Sequence, residues 1–317
     1  MIVTLTANPS TDRTIRLDGP LRRGAVQRSL DTTDEAGGKG VNISRACLAA
    51  DVATTAVLPA RADDPYVARL AATGVPHRLV DLDGPVRVNI ALTEPDGTTT
   101  KLNSPGATVA TADLDALAGT LRELAVDAEW VVLAGSLPPG ARTDWYADLA
   151  ADLRGLARVA VDTSEEPLRC LVDRLDAGGA PHLMKPNGEE LASFTGHDPD
   201  AVESDPELAA EAARTLVERG VREVLATLGP HGAVLVSAEG AWHAAPPPTT
   251  VVSTVGAGDS SLFGFVLGGL RGLDPAGRLA LGVAYGSAAA ALPGTTIPRP
   301  DQARPDLVVV RRLGSGS

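Results

Sequence analysis

The chain is short of the residues that would mark several other kinds of protein. Cysteine occurs only twice, at 47 and 170. That is too few for a disulfide framework or a thiolate metal site, so both read as core thiols of a protein in a reducing compartment. Aromatic residues make up 3% of 317, which leaves Ala, Val and Leu to fill the core, as in buried parallel strands and their covering helices. Clusters of Lys and Arg are missing and the net charge is -12, which excludes a nucleic-acid partner. No apolar run reaches the roughly 18 residues of a membrane span. Met1 leads directly into Ile2-Val3-Thr4-Leu5 without a basic leader, so the expectation is a cytoplasmic protein with no membrane role.

Short apolar runs at 2–7, 52–58, 130–134, 159–161, 183–184 and 224–227 alternate with helical patterns. That alternation predicts a mainly parallel sheet covered by helices, a three-layer α/β/α sandwich. Asp205-Pro206-Glu207 reads as a helix start, followed by the stripe Leu208, Ala212 and Leu216. Thr111 opens a helix carrying Leu114, Leu117, Leu121 and Leu124 on one face. Residues 13–33 and 86–103 instead show β alternation with a Pro95-Asp96-Gly97 turn and no helix between strands, which predicts a small projecting sheet. From about 249 onward the pattern reads as helical. We therefore expect one domain over 1–313 with a β lid, and a linker-like tail over 314–317. No internal repeat is present.

Three motifs carry chemistry. Thr254-Val255-Gly256-Ala257-Gly258-Asp259-Ser260 opens an apolar helix, where small residues bare backbone N–H groups at a positive helix end and so favour an anion. Asp259 adds negative charge there, which suits either a helix cap or the acceptor of a proton from an attacking hydroxyl. Gly37-Gly38-Lys39-Gly40-Val41-Asn42 precedes a helix expected over 43–50. Its bare glycines would admit a ligand to the backbone, while Lys39 and Asn42 offer a cation and an amide. It is not a phosphate-binding P-loop, which ends Gly-Lys-Ser/Thr. In Lys185-Pro186-Asn187-Gly188-Glu189-Glu190, Asn187 and Glu190 can form a capping box or face one metal-bound water. A dinucleotide fingerprint is missing after the first strand, where Asn8-Pro9-Ser10 stands, and this excludes a nucleotide-dependent oxidoreductase.

The two glycine motifs resemble the paired signatures of the ribokinase-like (PfkB) carbohydrate kinases. The likeness extends through Thr6-Ala7-Asn8-Pro9-Ser10-Thr11-Asp12, Gly135-Ser136-Leu137-Pro138-Pro139-Gly140, Lys185-Pro186-Asn187 and Thr227-Leu228-Gly229-Pro230-His231-Gly232-Ala233. Within the family it is nearest the 1-phosphofructokinase branch, then the tagatose-6-phosphate and minor 6-phosphofructokinase branches, on Arg23-Gly24-Ala25-Val26 and Arg87-Val88-Asn89-Ile90. The resemblance implies transfer of a phosphoryl group from ATP, with Mg2+, to fructose 1-phosphate or another hexose phosphate. It makes Asp259 the base and Gly256, Ala257 and Gly258 the anion hole. Asp12, Gly38, Lys39, Asn42, Arg87 and Ser136 would hold the sugar phosphate. Lys185, Asn187, Thr227, Gly229 and Gly232 would serve the nucleotide, with Glu190 reaching the metal through water. The lid would pair two copies into a homodimer. A silent sugar-phosphate sensor is the alternative of another class, and it would have no need of the base. Asp51, Arg61 and Phe263 depart from the family pattern. Asp51 tolerates a left-handed backbone and Arg61 does not, so residues 60–64 must differ in shape, and Phe263 should repack its helix.

Overall fold

Ile2, Val3, Thr4, Leu5 and Thr6 are all buried because the strand they form is paired in parallel on both sides, Ile2 lying opposite Thr54 and Trp130. Side chains of such a strand alternate between two buried faces. Val3 and Leu5 join Val131 and Leu133 in one core, while Ile2 joins Trp130, Val132 and Ala134 in the other. The computed structural model describes residues 1–314; of the proposed tail, 315–317 lie outside the described residues.

Among the described residues the strands are β1 (Ile2–Thr6), β2 (Ser10–Leu17), β3 (Ser29–Gly37), β4 (Thr54–Pro59), β5 (His77–Val80), β6 (Arg87–Thr93), β7 (Thr99–Leu102), β8 (Trp130–Ala134), β9 (Arg158–Asp162), β10 (Leu183–Met184), β11 (Glu223–Thr227), β12 (Ala233–Ser237), β13 (Gly240–Ala245) and β14 (Val309–Arg312). The helices are α1 (Lys39–Ala49), α2 (Pro65–Ala72), α3 (Thr111–Ala125), α4 (Trp145–Leu153), α5 (Glu165–Asp173), α6 (Gly188–Thr195), α7 (Pro199–Ser204), α8 (Pro206–Glu218), α9 (Ala257–Leu270) and α10 (Pro275–Ala290). The large sheet runs β14-β13-β12-β11-β10-β9-β8-β1-β4-β5, parallel from β5 to β11 and antiparallel beyond. Helices α3, α4, α5, α6 and α8 cover one face, and α1, α9 and α10 the other. This is the expected three-layer sandwich.

Local signals act as read. The Asp205 carboxylate accepts from the N–H groups of Glu207 and Leu208, and Ala212 and Leu216 are buried behind it. Asp51 has φ 56, whereas Arg61 is not left-handed; it pairs with Asp63, and Asp64 caps α2 through Tyr66 N–H. Phe263 is fully buried edge-on to Tyr285, 5.1 Å away. Helices α9 and α10 approach closely at Gly264, where a Cβ would lie 2.7 Å from Leu281 O.

Three expectations are corrected. Helix α1 starts at Lys39 and not at 43, so the whole Lys39-Gly40-Val41-Asn42 stretch forms its first turn. The chain after 249 is not helical throughout, because β14 adds an edge strand to β13. Its two valines carry no period of their own, and the partner strand decides their conformation. Cys170 is not a core thiol: it is half-buried, its Sγ 3.4 Å from Thr143 Oγ1, while Cys47 is buried.

The second sheet, β3-β2-β6-β7, projects beside the first. The pairs β2·β3 and β6·β7 are antiparallel, and β2·β6 is parallel. Its strands run further than the alternation alone indicates, to Ser10 and Gly37, and so carry Asp12, Gly37 and Arg87 to the carboxyl end of β1. There Gly38, at φ 123, passes so close to Thr6 that a Cβ would meet its methyl group at 2.5 Å. Among the described residues no helix is long and apolar enough to cross a membrane.

Candidate active site

Asp259 lies in the first turn of α9, where a left-handed Gly256 (φ 77) precedes the helix and Ala257 N–H is already bonded to Thr254 O. Among the described residues the N–H groups of Gly258 and Asp259 find no acceptor, so the turn presents open donors at the positive end of the helix. The Asp259 side chain does not cap these donors. It turns across to α1, where Asn42 Nδ2 donates to Asp259 Oδ2 at 2.9 Å. Burial pushes its carboxyl up to about 6, aided by the neighbouring Asp162 and opposed by Lys39, Asn42 and Lys185. Among the described residues Asn42 Oδ1, also buried, has no partner. An acceptor without a protein partner beside a buried carboxylate can accept from a hydroxyl.

The electrostatic hub is Asp162, at the carboxyl end of β9. Its side chain is 1% exposed. Lys39 Nζ donates to Asp162 Oδ1 at 2.9 Å, and Lys185 Nζ stands 3.4 Å from Asp162 Oδ2. Burial alone would raise the Asp162 carboxyl, but Lys185 and Lys39 outweigh it and hold it below the usual range. Burial likewise pulls Lys39 down, yet Asp162, Asp259 and Glu190 together keep its pKa above the ordinary value. The Lys185 ammonium stands 3.5 Å from where a Gly258 Cβ would be, beside the open turn. Sequence reasoning missed Asp162. The available signal was an Asp closing the Val159-Ala160-Val161 strand at the ligand edge of an α/β sheet.

On the lid side, the Asp12 carboxyl accepts from Ser10 Oγ at 2.7 Å and Asn89 Nδ2 at 3.4 Å; burial raises it against those bonds and Arg87. A Cβ on Gly37 would collide with that carboxyl at 2.1 Å, and one on Gly40 would meet Leu5 O at 2.5 Å. These glycines therefore make room for protein atoms, contrary to the expectation that they bare the backbone to a ligand. Arg87 donates to Asn8 O (3.0 Å), Ser104 O (2.9 Å) and Ser136 Oγ (3.4 Å), while its buried Nε has no partner among the described residues. Arg87 and Ser136 thus adjoin, as the resemblance implies.

On the other side, Asn187 pairs with Thr227 across β10 and β11, through Thr227 N–H to Pro186 O. Asn187 and Glu190 form the capping box: Asn187 Oδ1 accepts from Glu190 N–H at 2.7 Å, and Glu190 Oε2 accepts from Asn187 N–H at 2.9 Å. Burial raises the Glu190 carboxyl, against that bond and Lys185. Gly229 (φ 50) and Gly232 (φ 92) are demanded by packing, since Cβ atoms there would meet Glu203 Oε1 at 2.3 Å and Ala244 O at 2.0 Å. Among the described residues no three acidic, His or Cys side chains gather into a metal cage. Glu190, a partly exposed carboxylate on this edge, suits Mg2+, which keeps its waters and binds through one or two carboxylates plus substrate phosphates, whereas Asp162 is enclosed and already neutralised by two ammonium groups.

The description of a matching family model, "pfkB family carbohydrate kinase", covers residues 5–302. The chain is 38% identical over 306 residues to a 1-phosphofructokinase of Rhodobacter capsulatus, covering 95% of this chain and 94% of that one. It is 37% identical over 300 residues to a 1-phosphofructokinase of Haloferax volcanii, covering 94% and 93%. Phosphofructokinase-2 from Escherichia coli in complex with substrates and products has a similar structure, with a TM-score of 0.84 at 29% identity over 96% of this chain and 97% of that one.

Proposed function

Because the chain belongs to the pfkB family of carbohydrate kinases and is an ATP-dependent sugar-phosphate kinase using Mg2+, we propose that its acceptor is fructose 1-phosphate and its base Asp259. The observation that carries the base is the buried Asp259 carboxylate, pushed up to about 6, beside an open helix N-terminus and two ammonium groups. A carboxylate has no binding purpose next to a phosphoryl group, but it can accept the proton that the attacking hydroxyl loses. Asn42 orients it. Gly256, Ala257 and Gly258 shape the open turn toward the oxygens of the moving phosphoryl group, and Lys185 offsets their charge; Lys39, expected to hold the sugar phosphate, is reassigned to the same group because its ammonium is bonded to Asp162 beside Lys185. Asp12 reads ring hydroxyls, and Arg87 with Ser136 and Gly38 holds the phosphate already on the sugar. Asn187, Thr227, Gly229 and Gly232 line the nucleotide side. Bound Mg2+, reached by Glu190 through water, would supply positive charge to the nucleotide phosphates.

ATP-dependent turnover over a panel of free and phosphorylated sugars tests the substrate; a higher kcat/KM on tagatose 6-phosphate or fructose 6-phosphate would replace fructose 1-phosphate while leaving the kinase standing. The base makes a separate prediction. Asp259 works only when ionised, so activity is present above its pKa and lost as pH falls through it. In kcat/KM, which reports the groups of the free enzyme, the rate should drop about tenfold per pH unit below a midpoint near 6. A flat profile from about pH 5 to 8 would remove Asp259 as the base.

We also propose a cytosolic homodimer joined through the lid. Val26, Leu30 and Leu102 of the lid are 95%, 63% and 55% exposed, large apolar side chains that a second copy would cover. Leu30→Asp combined with Leu102→Asp should halve the mass measured by sedimentation. An unmodified protein that already sediments as a monomer would count against the dimer.

A further inference from the structure

Glu35 has no part in the chemistry above, yet its position is unusual. It lies on β3 directly opposite Asp12 on β2, so the lid sets two carboxylates across one strand pair. Like charges in that arrangement weaken a sheet. What Glu35 gains lies outside the lid. Its Oε2 accepts the Thr295 hydroxyl at 2.5 Å, a contact spanning 260 residues of chain, and Arg45 Nη1 of α1 stands 3.7 Å from the same oxygen.

Thr295 belongs to the segment that braces the open turn before Asp259. Its Cα is 4.0 Å from where a Gly256 Cβ would be. Around it, Val252 N–H donates to Ala290 O at 2.8 Å and Ser253 Oγ donates to Gly294 O at 3.4 Å. Ser253 Oγ in turn accepts from Val255 N–H. The bond from Thr295 to Glu35 therefore joins the lid strand beside Asp12 to the backbone that shapes the anion hole. We propose that Glu35 and Thr295 are a positioning pair, coupling the seating of the sugar phosphate under the lid to the geometry of the phosphoryl-binding turn. Arg45 offsets the charge that Glu35 would otherwise set against Asp12. The proposal rests on the kinase reading of the site.

A double-mutant cycle tests it, on whichever sugar phosphate the unmodified enzyme turns over. Glu35→Ala and Thr295→Ala should each lower kcat by about tenfold, with the KM for ATP little changed. The double variant should be no slower than the slower single one, since both remove the same link. Thr295→Ser, which keeps the hydroxyl, should retain most of the rate. Unchanged kcat in the single variants, or a double effect equal to the product of the two, would overturn the pair. Hydrogen exchange gives a readout independent of turnover and still decides if no sugar phosphate is used. In Thr295→Ala the amides of residues 29–37, remote in sequence, should exchange faster, whereas unchanged exchange there would overturn the coupling.

Discussion

Asp259→Asn should lower kcat by ~10²- to 10⁴-fold, the span typical of losing a general base, while the KM for ATP changes little. The amide keeps the size of the side chain and can still accept from Asn42 Nδ2, so the geometry of the first turn of α9 survives. Only the proton acceptor is lost. Stability supplies a control with the opposite sign. The folded-state carboxyl titrates at about 6 against 3.8 for the ordinary Asp, so the folded protein holds this proton more tightly than the unfolded chain. Stability is then greatest below the unfolded value, falls as pH rises from about 4 to 6, and stays reduced above that range. Asp259→Asn removes the penalty of a buried charge and should melt higher than the unmodified protein at pH 7. A slow variant that is also less stable would point to misfolding, and one that is folded with near-normal kcat would end the assignment of Asp259 as base.

Free fructose should have a kcat/KM lower than fructose 1-phosphate by about 10³-fold or more. A pocket built around a charged group is left with unpaired donors when that group is missing, and such sites discriminate by far more than an apolar contact can. The donor we propose is Arg87, which is partly buried, carries an Nε–H with no partner among the described residues and adjoins Ser136. Arg87→Ala should raise the KM for the sugar phosphate by about 30- to 100-fold, the worth of a charge-assisted hydrogen bond of ~2–3 kcal/mol, and should narrow the gap to free fructose. Arg87 also ties Ser104 and Asn8 together through their carbonyls, so Arg87→Lys separates the two roles. Lys keeps the charge without the fork, and an intermediate KM would credit the charge. Equal loss for free and phosphorylated sugar would assign Arg87 to loop structure alone.

The tertiary bonds of this site divide into those that short stretches of chain encode and those that only folding creates. The Asp205 cap, the Asn187–Glu190 capping box and the Trp130–Ala134 strand rest on residues within about four positions of one another. Local backbone preference and side-chain period are properties of neighbouring residues, so these elements are readable in the amino-acid order. The same holds for Gly256 to Asp259, because a run of small residues before an apolar helix bares its N–H groups wherever it occurs. The order could not show that Asp162 binds Lys39 and Lys185 at once, that Asn42 reaches Asp259, or that Glu35 meets Thr295. Those partners are 23 to 260 residues apart, and the apolar surroundings that move the Asp259 carboxyl to about 6 are assembled from several elements. The amino-acid order by itself therefore determined which chemical groups this protein has and the local backbone that carries them. Their charge state and pairing were decided by the tertiary structure, because burial and Coulomb interaction depend on distance through space and not along the chain.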